Sequence, residues 1–269
     1  MKKLFGIAAM VLGSTLAISA QVFKNDDLQI SLLEECVWIG ETRDNGTLYI
    51  IEGNDKALLI DTGTECDSLD KIIRLITQKP LQVVLTHAHH DHDGNIGFFS
   101  EIYIHPGDTV LFPKTYRGKV NFVKDGTRFD LGGKSIEVVH MPGHTPGSII
   151  LVDRAAGSCY TGDAFGSGQV WLQLKPYSPM KTYIESCNRM IKLMEEGIEK
   201  IYCGHYFYVK RPFDLSHMIK MRDLAISIKE GTVVNSQPFD RKVSIGCDNP
   251  MIATSGDIGI VYDPEHVNY

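Results

Sequence analysis

The sequence predicts an α/β (α+β) fold, with β-sheets packed face to face and helices outside them. Five segments repeat one grammar: a short apolar run of strand type, then small or turn residues, then an acid or a histidine. Helical patterns separate several of these runs. Alternating strand-like stretches fill the amino-terminal part, and strands interrupted by helices build layers.

Near the amino terminus, "LQISLLEECVWIG" and "GTLYIIEGNDKALLI" alternate as a meander with turns at Asp44 to Gly46 and Gly53 to Asp55. "KALLIDTG" (56–63) is the first of the five runs. Asp67 or Ser68 can cap a helix on which Leu69, Ile72, Ile73 and Ile76 recur at helical spacing. "LQVVLTHAHHDH" (81–92) is the second run; Gly94 permits a tight turn, and "NIGFF" can then start a helix. "VNFVKDGTRFDLGGKSIEVV" reads as short antiparallel strands leading into "IEVVHMPGHTPG" (136–147), and "SCYTGD" (158–163) follows. Ser178 and Pro179 open a second helix with Tyr183, Ile184, Cys187, Met190, Ile191 and Met194 on one face and Gly197 stopping it. After "KIYCGHY" (200–206), Asp214 or Ser216 opens a third, with Ile219, Leu224 and Ile228 inward and Gly231 at its end; "DIGIVYD" is a last strand. The polar residues fall at the carboxyl ends of the runs, the edge where layered sheets usually bind ligands.

The opening "MKKLFGIAAMVLGSTLAISAQ" has the layout of a secretory signal peptide over residues 1–20: two lysines, an apolar run, then small residues. Cleavage after Ala20, or after Ser19, gives a periplasmic or secreted protein. The run is short for an uncleaved anchor, and no other stretch is long enough to span a bilayer. Removing Lys2 and Lys3 from the 27 basic residues leaves 25 against 33 acidic ones, a balance that argues against a nucleic-acid partner. Residues 21–269 read as a single domain, because no linker or like-charge block divides them. Cys36, Cys66, Cys159, Cys187, Cys203 and Cys247 form no CxxC pair and read as buried free thiols.

The stretch "LTHAHHDHDG" (85–94) concentrates metal-seeking side chains. On a helix His87 and His89 would be about 200° apart, but on extended backbone both imidazoles point to one side. Asp91 and His92 then fall on the following loop and face a neighbouring position. An ion needs around four ligands, so a pair of ions asks for more than one loop, and the other strand ends offer His144, Asp163 and His205. His90 alternates away from His89 and either hydrogen-bonds behind the site or lies exposed. His105, His140, His217 and His266 read as surface or satisfied core residues, and Asp61 either orients a ligand histidine or caps the turn after its strand.

The ordered set His87, His89, Asp91, His92, His144, Asp163 and His205, with "IDTG" at 60–63, resembles the metallo-β-lactamase superfamily over roughly residues 30–265. The resemblance implies a four-layer αββα sandwich of two mixed sheets flanked by helices. It also implies two ions: His87, His89 and His144 on the first, Asp91, His92 and His205 on the second, and Asp163 bridging them. True β-lactamases of the superfamily typically carry cysteine or serine at the bridge, whereas glyoxalase II and lactonases carry aspartate. The helical tail of glyoxalase II has no counterpart here. Two Zn(2+) ions are expected, with iron or manganese also compatible with imidazole and carboxylate ligands.

Such a pair can share a water and lower its pKa to about 7. The expected reaction is therefore hydrolysis of an ester, thioester, lactone or amide in a small-molecule substrate by a metal-bridging hydroxide, with Asp91 orienting the nucleophile and relaying its proton. Phe165, Trp171, Tyr177, Tyr206 and Tyr208 are candidate pocket walls, and Lys175, Lys210 and Arg211 candidate partners of an anionic substrate. The alternatives are a β-lactamase, or a metal-binding protein without turnover.

Overall fold

The computed structural model describes residues 21–43, 45–172, 178–240 and 247–268. The expected leader and, among the residues singled out above, Asp44, Lys175 and Tyr177 lie outside them. The first sheet runs in chain order: β1 (Gln21–Lys24), β2 (Leu28–Glu34), β3 (Val37–Thr42), β4 (Thr47–Glu52), β5 (Ala57–Ile60), β6 (Leu81–Val84), β7 (Glu101–Ile104) and β8 (Lys119–Phe122). Its first five strands are antiparallel neighbours and β5 to β8 are parallel. The second sheet holds β9 (Arg128–Asp130), β10 (Ser135–His140), β11 (Ile149–Asp153), β12 (Ser158–Tyr160) and β14 (Lys200–Tyr202), in the order β14-β12-β11-β10-β9. A third sheet stands beyond the two expected: β13 (Gln169–Trp171), β15 (Ser236–Pro238), β16 (Met251–Ser255) and β17 (Ile258–Tyr262), ordered β13-β17-β16-β15.

Strand periodicity sorts the core into layers. Tyr49, Ile51, Leu58 and Ile60 pack with Val138, Leu151 and Tyr160 between the first two sheets. Their alternates Leu48, Ile50 and Leu59 pack with Leu69, Ile72 and Ile73 of α1 (Leu69–Ile76) on the outer face. Outside the second sheet, Val139, Ile150 and Val152 pack with α3 (Met180–Glu195) and α5 (Leu215–Glu230). The order is helix, sheet, sheet, helix, the αββα sandwich anticipated. Burying each large aliphatic side chain contributes roughly 2 kcal/mol, and β4 and β5, buried on both faces, contribute to two core layers at once.

Several local expectations need correction. Ser68 sits at the start of α1 in left-handed backbone (φ 58°) and makes no side-chain capping bond. β8 pairs with β7 in parallel, because the chain crosses over between them rather than turning back. "NIGFF" gives only one 3-10 turn, Ile96–Phe98. All six cysteines are free, but Cys36 is exposed at the β2–β3 turn and Cys247 is part-exposed. His217 is buried against the Phe213 ring at 3.7 Å, with Nε2 lacking a hydrogen-bond partner rather than satisfied. Asp214 caps α5 by accepting from the His217 N–H, as anticipated. No helix among the described residues is long and apolar enough to cross a membrane.

Candidate metal centre

The topology brings the strand ends together. β5 and β6 are parallel neighbours, so Asp61 and the His87 loop leave one edge of the first sheet. β10 and β12 both run antiparallel to β11, and β14 runs parallel to β12. The segments carrying His144, Asp163 and His205 therefore leave one edge of the second sheet.

All seven anticipated residues converge there, in two groups whose ligand atoms each lie within 4.8 Å of one another. In the first, His144 Nε2 is 3.3 Å from His87 Nε2 and 3.0 Å from His89 Nδ1. In the second, His205 Nε2 is 3.1 Å from Asp163 Oδ2 and 3.2 Å from Asp91 Oδ2. His92 Nε2 completes it, 3.6 Å from Asp163 Oδ1 and 3.8 Å from Asp91 Oδ2. Asp163 Oδ2 also lies 4.0 Å from His144 Nε2, which places this carboxylate between the groups. Asp91 and His92 stand on a short helix, α2 (His90–Asp93), rather than an open loop, because the N–H groups of His92 and Asp93 both donate to the His89 carbonyl. His90 is exposed, as anticipated.

Outer hydrogen bonds set the imidazoles of His87, His92, His144 and His205. His144 Nδ1 donates to the Trp171 carbonyl (2.6 Å), His205 Nδ1 to the Asn45 carbonyl (2.9 Å) and His92 Nδ1 to Asp61 Oδ2 (2.9 Å). The Thr86 hydroxyl donates to Asp61 Oδ2 (2.7 Å), which leaves its oxygen to accept from His87 Nδ1 at 3.1 Å. In all four rings Nε2 is left as a lone-pair donor facing the site. Asp61 thus orients His92 directly and His87 through Thr86.

The residues fit divalent cations. Ligand atoms 2.0 to 2.1 Å from a tetrahedral ion are about 3.3 Å apart, close to the nitrogen spacing in the first group. His92 Nε2 and Asp163 Oδ1 are buried without a hydrogen-bond partner. Each stranded atom costs about 1–3 kcal/mol, which a cation between them relieves. Burial, together with His92 and its other histidine neighbours, holds the His87 imidazole well below its usual range, and burial and His144 pull His89 down to about 3. Burial acts to raise the Asp163 carboxyl, but His205 and His92 outweigh it and hold it well below the usual carboxylate range. Burial thus favours the neutral imidazole at His87 and His89, while the second group is rich in charge.

Gly204 lets two strand ends approach. A Cβ there would lie 2.3 Å from Asp163 Oδ1 and 2.7 Å from His92 Cε1. Gly204→Ala is expected to displace the second group, so zinc titration should lose at least about tenfold in affinity for one ion. Unchanged affinity for both ions would refute this packing role.

The anticipated pocket walls divide. Tyr208 is exposed, its ring 6.1 Å from the His205 ring and its hydroxyl accepting from Asn45 Nδ2. Trp171 is half-buried against Phe239, and Tyr206 packs on Tyr202. Phe165 is fully buried in the core and walls no pocket. Lys210 lies 4.3 Å over the Phe207 ring and Arg211 is 3.9 Å from Asp257. Sequence reasoning missed Thr86 and Asn45, which hold the rings of His87 and His205. "NG" at 45–46 carries only a turn signal in the sequence, and the positive φ at Asn45 (67°) accompanies the carbonyl that receives His205.

Residues 42–205 match the family model of the metallo-beta-lactamase superfamily. The chain belongs to that superfamily. Among its relatives it is similar to the acyl-coenzyme A thioesterase MBLAC2 of Homo sapiens, 26% identical over 237 residues that span 69% of this chain and 84% of that protein. It is similar also to the hydroxyacylglutathione hydrolase of Aeromonas salmonicida, 27% identical over 165 residues, 60% of this chain and 61% of that one. Among solved structures, the metallo-beta-lactamase from Erythrobacter litoralis shares the superfamily fold, with a TM-score of 0.58 at 18% identity over 76% of this chain and 99% of that one.

Proposed function

We propose that the protein is an exported, zinc-loaded dinuclear hydrolase that cleaves thioesters of the acyl-coenzyme A class. The observation that carries the reading is the Asp163 carboxylate standing between two ligand groups. Two relatives named for thioester-cleaving activities support the substrate class. The leader at residues 1–20 supports export.

When bound, a pair of divalent ions supplies Lewis acidity, acidifying a water and polarising the scissile carbonyl. His87, His89 and His144 would hold one ion through ring nitrogens, Asp91, His92 and His205 the other, and Asp163 would be shared between them, its Oδ2 facing His205 and His144 and its Oδ1 facing His92. Asp91 is the more open of the two carboxylates, 37% exposed against 14% for Asp163. It is placed to take the proton released on attack and hold it while the leaving group departs. A thiolate, whose conjugate thiol has a pKa of about 8.5, leaves without prior protonation, whereas an amide nitrogen needs a proton donor.

The test is a substrate panel run beside an elemental count on the full chain. An acyl-coenzyme A should be turned over with a kcat/KM at least about tenfold above a lactone or a chromogenic cephalosporin, with two ions per chain. Comparable cephalosporin turnover would make the protein a β-lactamase. Two bound ions with no turnover of any substrate would make it a metal-binding protein. Amino-terminal sequencing of exported protein should begin near Gln21.

A further inference from the structure

We propose that Asp108 is a positioning residue for the first ligand group, holding the backbone that carries its histidines, whereas Asp61 holds the His92 ring directly and the His87 ring through Thr86. The proposal rests on the reading of the cluster as a metal centre. Asp108 ends the 3-10 turn Pro106–Asp108 after β7, and it is fully buried although it ligates nothing and lies outside the histidine-rich segment.

Its carboxylate accepts three hydrogen bonds. Oδ2 receives the Ala88 N–H at 3.0 Å and the Thr145 hydroxyl at 2.9 Å; Oδ1 receives the Gly147 N–H at 2.6 Å. Ala88 is the residue between His87 and His89, and Thr145 follows His144. One carboxylate thus grips both backbone segments that carry the three imidazoles of the first group.

The grip depends on close approach. A Cβ at Gly107 would lie 2.7 Å from the Pro146 carbonyl oxygen and 2.9 Å from Gly147 Cα, and one at Gly147 would lie 2.5 Å from Asp108 Oδ1. "HPGD" at 105–108 and "HTPG" at 144–147 are pressed together through their glycines. Thr145 is further held by Ser148, whose Oγ is 2.8 Å from Thr145 Oγ1 and accepts from the Thr145 N–H at 3.0 Å. A hydrogen-bonded partner that sets ligand orientation typically changes metal affinity 10- to 100-fold.

The experiment is a chelator-competition titration of the metal-free full chain with zinc alone, supported by circular dichroism. Wild type should load two ions. Asp108→Asn keeps the shape but turns one acceptor into a donor facing N–H or O–H groups, and should weaken one binding step by about tenfold or more while leaving the other near wild type. Thr145→Val removes a single bond from the same network and should shift the same step by a few fold, with Thr145→Ser restoring it. Combining Asp108→Asn with His144→Ala should add little to the loss from either alone, because both act on one ion. Combining it with His205→Ala should give additive losses. Equal loss at both steps, or Asp108→Asn and Thr145→Val proteins that load both ions as tightly as wild type, would overturn the assignment. A wild type that binds no zinc would sink the metal reading itself, and this proposal with it, a result distinct from variants that load normally.

Discussion

Replacing Asp163 by alanine is expected to lower bound metal from two ions per chain to one or fewer and to cut turnover by at least about a hundredfold. The carboxylate is 3.1 Å from His205 Nε2, 3.6 Å from His92 Nε2 and 4.0 Å from His144 Nε2, so it faces ligand nitrogens of both groups. Without it, the second group keeps a single carboxylate, Asp91. The effect on the metal-free fold should be smaller, because Asp163 Oδ1 is already stranded. Elemental analysis with kcat measured on the same preparation checks the prediction. Wild-type metal content and turnover in the variant would mean that the bridging position is misassigned.

Asp61→Ala is expected to produce the largest loss of stability. Asp61 is buried and accepts from the Thr86 N–H and hydroxyl, both at 2.7 Å, and from His92 Nδ1 at 2.9 Å. Truncation strands three donors, each at about 1–3 kcal/mol, for a net loss of roughly 3–5 kcal/mol. For a domain of this size that corresponds to a fall in Tm of about 10 °C. Asp61 also sits at φ 60°, a conformation alanine resists and asparagine tolerates. Asp61→Asn should therefore lose less. Thermal melts of the metal-free variants decide the matter, and an alanine variant melting within about 2 °C of wild type would remove Asp61 from the framework.

The ligands were legible because four stand in one histidine-rich run after a strand, and His144, Asp163 and His205 each follow a strand with a glycine directly before them, local signatures that survive without coordinates. The layers were legible from alternation in "TLYII" and "ALLI" and from helical spacing in α1, α3 and α5. What sequence could not reveal was orientation over distance. Phe165 lies two residues beyond Asp163 and Tyr208 three beyond His205, yet one fills the core and the other faces solvent, since only tertiary packing, around Phe165 and on α4 (Tyr206–Val209), decides between them. Asp108 was invisible for the same reason: its partners are Ala88, Thr145 and Gly147, up to 39 residues away, and "HPGD" by itself reads as a turn. The third sheet was missed in part because its strands β13 and β15 are three residues long and too short for an alternation signal.

The loop carrying His205 is sewn to the opposite sheet by bonds that involve no ligand atom. The Gly204 carbonyl accepts from the Thr47 N–H (2.9 Å), the Tyr206 N–H donates to Thr47 Oγ1 (3.1 Å), and the Tyr49 hydroxyl donates to the Cys203 carbonyl (2.6 Å). The conformational entropy of this segment is therefore surrendered during folding, not at the moment of loading. A cation arriving at this rim meets an almost finished cradle and spends little of its binding free energy on ordering the chain.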